Sequence, residues 1–244
     1  MKKIVKISVV VLFLLAAFIG VQQGLKYYLK GPARYFNAII IMGGKENVES
    51  AKAELQSVAK PAKDYPYKCI VNRREALDEN GDPLVENGIQ LYNETTFLVF
   101  SKSAASQMLE DQLFRVKEDG DTLSGNIATV PMTEIRGLDS DNDVYLNSPN
   151  AVSGMEVDGT VLPLSYANYA WIGYYPEPAV IAIIDDATYS GIQREEMQVS
   201  LMGMEGRRGD LRDASRTRDI ESKITDRDTV VIDYTYTADR QDLQ

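Results

Sequence analysis

The chain has 244 residues, enough for one large domain or two small ones after an N-terminal segment of about 30. Apolar residues make up 44% of it, so it can bury a core and is not a disordered tail. It has no histidine and a single cysteine, which excludes Ser–His–Asp and Cys–His catalysis, imidazole zinc sites and an internal disulfide.

Met1-Lys2-Lys3 opens the chain with positive charge, and Ile7 to Val21 is apolar apart from Ser8. A cleaved signal peptide wants small residues before the cut, but Leu15 stands three places before the best site at Ala17. A membrane span needs roughly 20 apolar residues, and Lys26-Tyr27-Tyr28 follows as a basic and aromatic belt. The preferred reading of residues 1–30 is an uncleaved transmembrane anchor, with a signal peptide as the alternative. No cysteine follows the apolar run, which argues against a lipid anchor. Lys2, Lys3 and Lys6 hold the N-terminus inside, so residues 31–244 are expected outside the cytoplasm. This part carries all 36 acidic residues against 21 basic ones, a charge of −15. Phosphate backbones and anionic headgroups repel such a surface, so nucleic acid is not a partner.

Lys30-Gly31-Pro32 breaks the helix, and three stretches then share one plan. Asn37 to Met42 is an apolar run, followed by Gly43-Gly44 and a helical pattern from Lys45 to about Ala59. Thr96 to Phe100 is followed by Ser101-Lys102-Ser103 and a helix from Ala104 to Leu113. Ala179 to Ile184 is followed by Asp185-Asp186 and a short helix to Gln193. Each reads as a buried strand, a capping turn and a helix. Because the runs do not alternate, the strands are covered on both faces or sit mid-sheet. Tight turns are expected at Asp78 to Pro83 and Glu118 to Asp121, and a hairpin with an Asp158-Gly159 turn at Met155 to Leu162. Met197 to Met202 and Thr229 to Tyr234 read as strands. Gly209 to Ile224 reads as a helix of mixed charge, with Leu211, Ala214, Ile220 and Ile224 as its apolar contacts. The fold class is α+β, a mixed sheet built from strand-turn-helix units.

Few motifs carry chemistry. Asp139, Asp141 and Asp143 alternate as in a calcium loop, but the template's glycine and glutamate are Val144 and Asn150 here, leaving at best a millimolar site. Gly43-Gly44 lacks the spacing of a phosphate loop. Asp185-Asp186 reads as a helix cap before a catalytic pair. Cys69, among apolar residues, reads as a buried structural thiol. Arg208-Gly209-Asp210 spells an adhesion tripeptide, but its setting of alternating charges reads as an exposed helix. Tyr166, Tyr169, Trp171, Tyr174 and Tyr175 crowd one stretch. The cluster is either core or a recognition surface, and it is the first choice for a partner surface. No residue is assigned to catalysis or to a cofactor.

Phe97 to Ser103 and Ile181 to Tyr189 resemble strand-to-helix phrases in the extracellular domains of FtsX-like ABC permeases and in small uncharacterised lipoproteins of Gram-positive bacteria. The chain departs from both, with one membrane segment where a permease has at least four, and without the lipoprotein cysteine. The resemblance implies a non-enzymatic surface domain and transfers no functional residue. The expected function is a membrane-anchored binding or accessory module of the cell envelope, working with a transporter, a sensor or another envelope protein. The alternative is a carboxylate-dependent hydrolase acting on cell-wall or extracellular material.

Overall fold

The computed structural model describes residues 36–117, 129–146, 152, 154–173, 179–205, 209, 211, 218–220, 222, 224 and 229–236. The expected anchor, the turn at Glu118 to Asp121, and Ala214 lie outside these. Among the described residues no helix is long and apolar enough to cross a membrane.

In chain order the strands are β1 (Phe36–Gly44), β2 (Lys63–Glu75), β3 (Val85–Glu86), β4 (Ile89–Gln90), β5 (Tyr92–Ser101), β6 (Phe114–Lys117), β7 (Thr129–Pro131), β8 (Val144–Leu146), β9 (Gly154–Val157), β10 (Thr160–Pro163), β11 (Ser165–Asn168), β12 (Ala170–Ile172), β13 (Val180–Ile184), β14 (Glu196–Gly203) and β15 (Thr229–Tyr236). Three helices accompany them: α1 (Lys45–Leu55), α2 (Lys102–Glu110) and α3 (Asp186–Gly191). Eight strands form a mixed sheet in the order β11-β8-β13-β5-β2-β14-β1-β15, parallel only at β11/β8 and β13/β5. The four apolar runs of β1, β5, β13 and β15 all belong to this sheet.

Side chains alternate across a strand, so each apolar run feeds both faces. On the first face, Ile40 and Met42 of β1, Phe100, Ile181, Ile183 and Val199 pack under α2 and the small sheet β12-β6-β7. The second face holds two separate clusters. Ile39 and Ile41 meet Val48, Ala51 and Leu55 of α1, together with Leu211, Ile220 and Ile224. Phe97, Val99, Ala182 and Ile184 lie under Tyr189 of α3 and under Met155 and Val157 of the β9–β10 hairpin. Between the clusters, β2 and β14 turn polar side chains to the same face: Asp64 and Lys68, Gln198 and Ser200. This covering of both faces is why the runs do not alternate.

All three strand-turn-helix units form, two of them with side-chain caps, whereas Gly44 before α1 supplies none. Ser101 Oγ accepts the Ala104 N–H at 3.2 Å. Asp185 accepts the N–H groups of Ala187 (2.8 Å) and Thr188 (3.3 Å), so it is the α3 cap. Asp186 reaches across to α2 and accepts the Ser103 N–H at 3.0 Å, joining the ends of two parallel strands whose helices lie on opposite faces. Asp158 and Gly159 have φ of 50° and 79°, the left-handed pair a two-residue hairpin needs. Residues 218–220, 222 and 224 are helical, with Leu211, Ile220 and Ile224 buried against α1 as their pattern implies.

The bond from Ser103 N–H is the main reason the Asp186 carboxyl is held below the usual carboxylate range. A carboxylate with a depressed folded value stabilises the fold fully above the unfolded value near pH 4, and this is lost as pH falls through the folded value. Asp186→Asn is therefore expected to cost about 0.3–1 kcal/mol at pH 7, the range for a charge at an exposed helix N-terminus. Urea unfolding at pH 7 and pH 3 checks it, since the difference from wild type should shrink at the lower pH.

The strand β2 is the departure from the sequence pattern. Its run mixes charged residues with apolar ones and contains Pro66, a residue that argues against a central strand. The register resolves this. β2 pairs with β14 only over Lys63–Lys68 and with β5 only over Lys68–Glu75. Lys68 alone is paired on both sides, and Pro66 falls where the β5 side has no ladder to break. The strand thus crosses diagonally between the two halves of the sheet, and beyond Ile70 it runs past the sheet with only β5 beside it.

Candidate partner-binding site

Beyond Lys68, β2 has only β5 beside it, and the pair runs out to Glu75 and Tyr92 as a two-stranded arm. Main-chain bonds continue it: Ala76 N–H to Leu91 O at 3.0 Å, Leu84 N–H to Ala76 O at 2.7 Å, and Leu91 N–H to Leu84 O at 2.9 Å. At the predicted turn, the Asp78 carboxylate accepts the N–H groups of Asn80 (2.8 Å) and Asp82 (2.9 Å). The tip is the β3–β4 hairpin, whose turn residues Asn87 and Gly88 have φ of 52° and 79°. Hydrogen bonds rather than a core hold this arm, and Ala76 is the one buried apolar residue between Val71 and Tyr92.

Its side chains show what it offers. Nine large apolar residues are exposed among the described ones, and Val71, Leu77, Leu84, Val85, Ile89 and Tyr92 of the arm are six of them. Glu86 stands opposite Ile89 and Val85 opposite Gln90, so Ile89 and Val85 face opposite sides of the tip. Near the root, the Arg73 guanidinium lies 3.9 Å over the Tyr92 ring and 3.5 Å from Glu94. Exposed apolar residues gathered on one projection mark an interaction surface, whereas single scattered ones do not.

On the second face, a cleft of 420 Å³ separates the arm's root from the β9–β10 hairpin, lined by Asn72, Arg74, Asn93, Thr95 and Phe97 with Gly154 on the far wall. Asn72 sets its width. Its amide donates to Glu156 O and its carbonyl accepts the Glu156 N–H, both at 2.8 Å, standing in for a strand partner. Asn72→Ala is expected to cost about 1–2 kcal/mol by removing both bonds. Amide exchange across Gly154–Pro163 should accelerate more than exchange in β13, and equal rates in the two would show that Asn72 is not the clamp.

Of the aromatic residues singled out in the sequence, the three described ones divide between core and surface. Trp171 is 1% exposed, in β12 opposite Arg115, and is a core residue. Tyr169 is exposed and meets Trp171 edge-on at 5.7 Å. Tyr166, also exposed, packs on Tyr145 at 5.4 Å. Tyr174 and Tyr175 lie outside the described residues. The calcium candidates part in the same way. Asp139 and Asp141 are exposed in a turn, while Asp143 accepts the Asp185 N–H at 2.9 Å and so ties β8 to the end of β13. The Lys102 ammonium already bonds the Ser140 carbonyl of that turn. Among the described residues, no three of His, Cys, Asp or Glu gather as metal ligands would. The glycine of Arg208-Gly209-Asp210 is buried against the backbone at Glu205 and Val58, where a Cβ would come within 3 Å of carbonyl oxygens. Its two neighbours lie outside the described residues.

Two polar clusters on the second face had no sequence motif. Lys68 is buried, and its ammonium donates to the carbonyls of Tyr189 (2.8 Å) and Ile192 (2.6 Å), the open end of α3. It also lies 4.5 Å over the Tyr189 ring. The Tyr189 hydroxyl is buried without a partner among the described residues, and burial, with Glu196 nearby, pushes it up to about 12. The second cluster ties α1 to the sheet. Lys52 bonds Glu49 at 2.7 Å and Asp64 at 2.8 Å, Ser200 donates to Asp64 at 2.5 Å, and Gln198 donates to Ser200 and Glu49. The Lys52 bond is the first cause holding the Glu49 carboxyl low. A hydrolase acid needs its carboxyl raised, so this pair is a tether between elements.

Residues 36–232 match an uncharacterised lipoprotein family. The chain belongs to that family. The match runs from β1 into β15 and so reaches all eight strands of the main sheet, ending at Ile232 within β15. A Bacillus anthracis protein described as a lipoprotein has a similar structure, at 13% identity and a TM-score of 0.55, over 82% of this chain and 99% of that one. At that identity the likeness is one of fold. The periplasmic region of MacB from Actinobacillus actinomycetemcomitans aligns at 10% identity over 81% of this chain and 88% of that one, but its TM-score of 0.26 carries no argument. The lipoprotein family is one of the two kinds of protein the strand-to-helix phrases resemble. No curated protein matches the chain. Lipoproteins are tethered through a cysteine at their mature N-terminus, but Cys69 cannot serve as one. It lies in β2, and cleavage before it would remove β1, which sits between β14 and β15. Cys69 is half-buried rather than buried as expected, and that partial burial still raises its thiol further from reactivity.

Proposed function

We propose that this protein is a non-enzymatic docking module of the cell envelope, held at the membrane by its N-terminal segment with residues 31–244 outside the cytoplasm. The arm from Val71 to Tyr92 engages another envelope protein. The supporting observation is that arm: it runs past the sheet, is ordered by its own hydrogen bonds and carries six of the nine large apolar side chains exposed among the described residues. An apolar projection without a core of its own gains nothing for the fold, since exposed side chains there contribute within about 0.5 kcal/mol. Lipoprotein-family membership supports the envelope setting. The hydrolase alternative has no comparable support, because the displaced carboxyls of Glu49, Asp78 and Asp186 are all held low.

The test is a photo-crosslinking residue placed at Gln90 of the tip in the full chain, in living cells, with Ser50 on exposed α1 as the control position. A discrete adduct is expected from Gln90 and not from Ser50. Leu84→Ser/Ile89→Ser should abolish the adduct while leaving thermal unfolding unchanged. No adduct, or the same adducts from both positions, refutes the docking role.

A further inference from the structure

We infer that the arm's occupant is a protein whose apolar pocket is rimmed by lysine or arginine, an inference that rests on the docking role proposed above. Between Val71 and Tyr92 the arm carries five carboxylates (Glu75, Asp78, Glu79, Asp82 and Glu86) against two arginines. One of the two arginines, Arg73, is engaged by Glu94 and the Tyr92 ring, so even with Arg74 the carboxylates are in excess. Of the carboxylates, Asp78 is used by its own turn. Glu79, Asp82 and Glu86 are exposed, and no side-chain bond engages them among the described residues. Glu86 stands directly opposite Ile89, which sets a carboxylate beside the most exposed apolar side chain of the tip.

Charge then decides among the surfaces that could cover apolar residues. An anionic membrane repels a tip ringed by carboxylates. A second copy of the chain brings the same negative tip, and like charges set face to face across an interface are costly. A basic rim around an apolar pocket satisfies both features. Rim charges of this kind govern encounter rate and salt dependence, while the apolar contacts hold the complex.

The test uses the full chain with the crosslinker at Gln90 and neutralises the three carboxylates by Glu79→Gln, Asp82→Asn and Glu86→Gln. Asp78 is left intact because the turn depends on it. The adduct mass is expected to be that of a different protein, with a yield that falls about tenfold in the neutralised variant. A lipid adduct, or one at twice the chain's own mass, overturns the inference. A protein adduct lost with Leu84→Ser/Ile89→Ser but undiminished by neutralisation also overturns it, and leaves the docking role standing. No adduct at all overturns both.

Discussion

Trp171→Ala is expected to lose about 3–5 kcal/mol of stability, the range for deleting a buried aromatic side chain. The indole is 1% exposed and sits in the three-stranded sheet that covers the first face of the main sheet. Its strand neighbours Ala170 and Ile172 point to the opposite side, into the core between the two sheets, so the indole is buried on the other face of β12. A cavity of indole size there cannot collapse without moving β6, to which Trp171 is paired at Arg115. Domains are stable by only about 5–15 kcal/mol, so the variant loses about a fifth of its stability or more and should melt about 10 °C lower. Tyr169→Ala is the internal contrast. Tyr169 touches the indole edge but is 45% exposed, and its loss should cost under about 1 kcal/mol. Chemical denaturation of both variants checks the pair. Unchanged stability in Trp171→Ala would mean that the tryptophan is not packed as described.

Lys68→Ala is expected to cost about 2–4 kcal/mol, through the loss of two charge-assisted bonds, to carbonyls that keep only the Ile192 and Arg194 N–H groups, and of a buried aliphatic stem. The ammonium bonds Tyr189 and Ile192, so the damage should appear first at α3, 121 and 124 residues away in sequence. Lys68→Met separates the two contributions. It keeps the stem's packing and loses the bonds, so it should recover only part of the stability. Amide exchange in α3 should accelerate in both variants. If Lys68→Met is as stable as wild type, the ammonium contributes nothing beyond packing, and the capping role is wrong.

What could be read from the sequence was whatever short segments decide by themselves. The runs at Ile39 to Met42, Phe97 to Phe100 and Val180 to Ile184 are continuous apolar stretches, each followed by a residue suited to start a helix. Ser101 and Asp185 cap α2 and α3 through bonds spanning three residues or fewer. Asp158-Gly159 specifies its hairpin because the turn needs two residues at positive φ. Where assignment needs a distant partner, local pattern fails. β2 looked unlike a central strand because Pro66 and alternating charges argue against one, yet β14 and β5 take it up in turn on opposite sides. The arm was invisible for the same reason. Its turn could be placed at Asp78 to Pro83, but nothing in Leu84, Val85 or Ile89 says that no core lies beneath them.

The amino-acid sequence by itself determined the class of this fold, its three strand-turn-helix units and the absence of histidine chemistry, because composition, local caps and apolar run length act within a few residues. Only the tertiary structure decided which apolar residues are core and which are display. Trp171 and Ile89 are both large and apolar, but one is buried within a small second sheet and the other stands on a hairpin that has left the main sheet. Burial is set by what the chain brings over a residue from elsewhere. Lys68 shows the same dependence for a charge, since a lysine in a strand becomes a helix cap only when α3 ends on top of it.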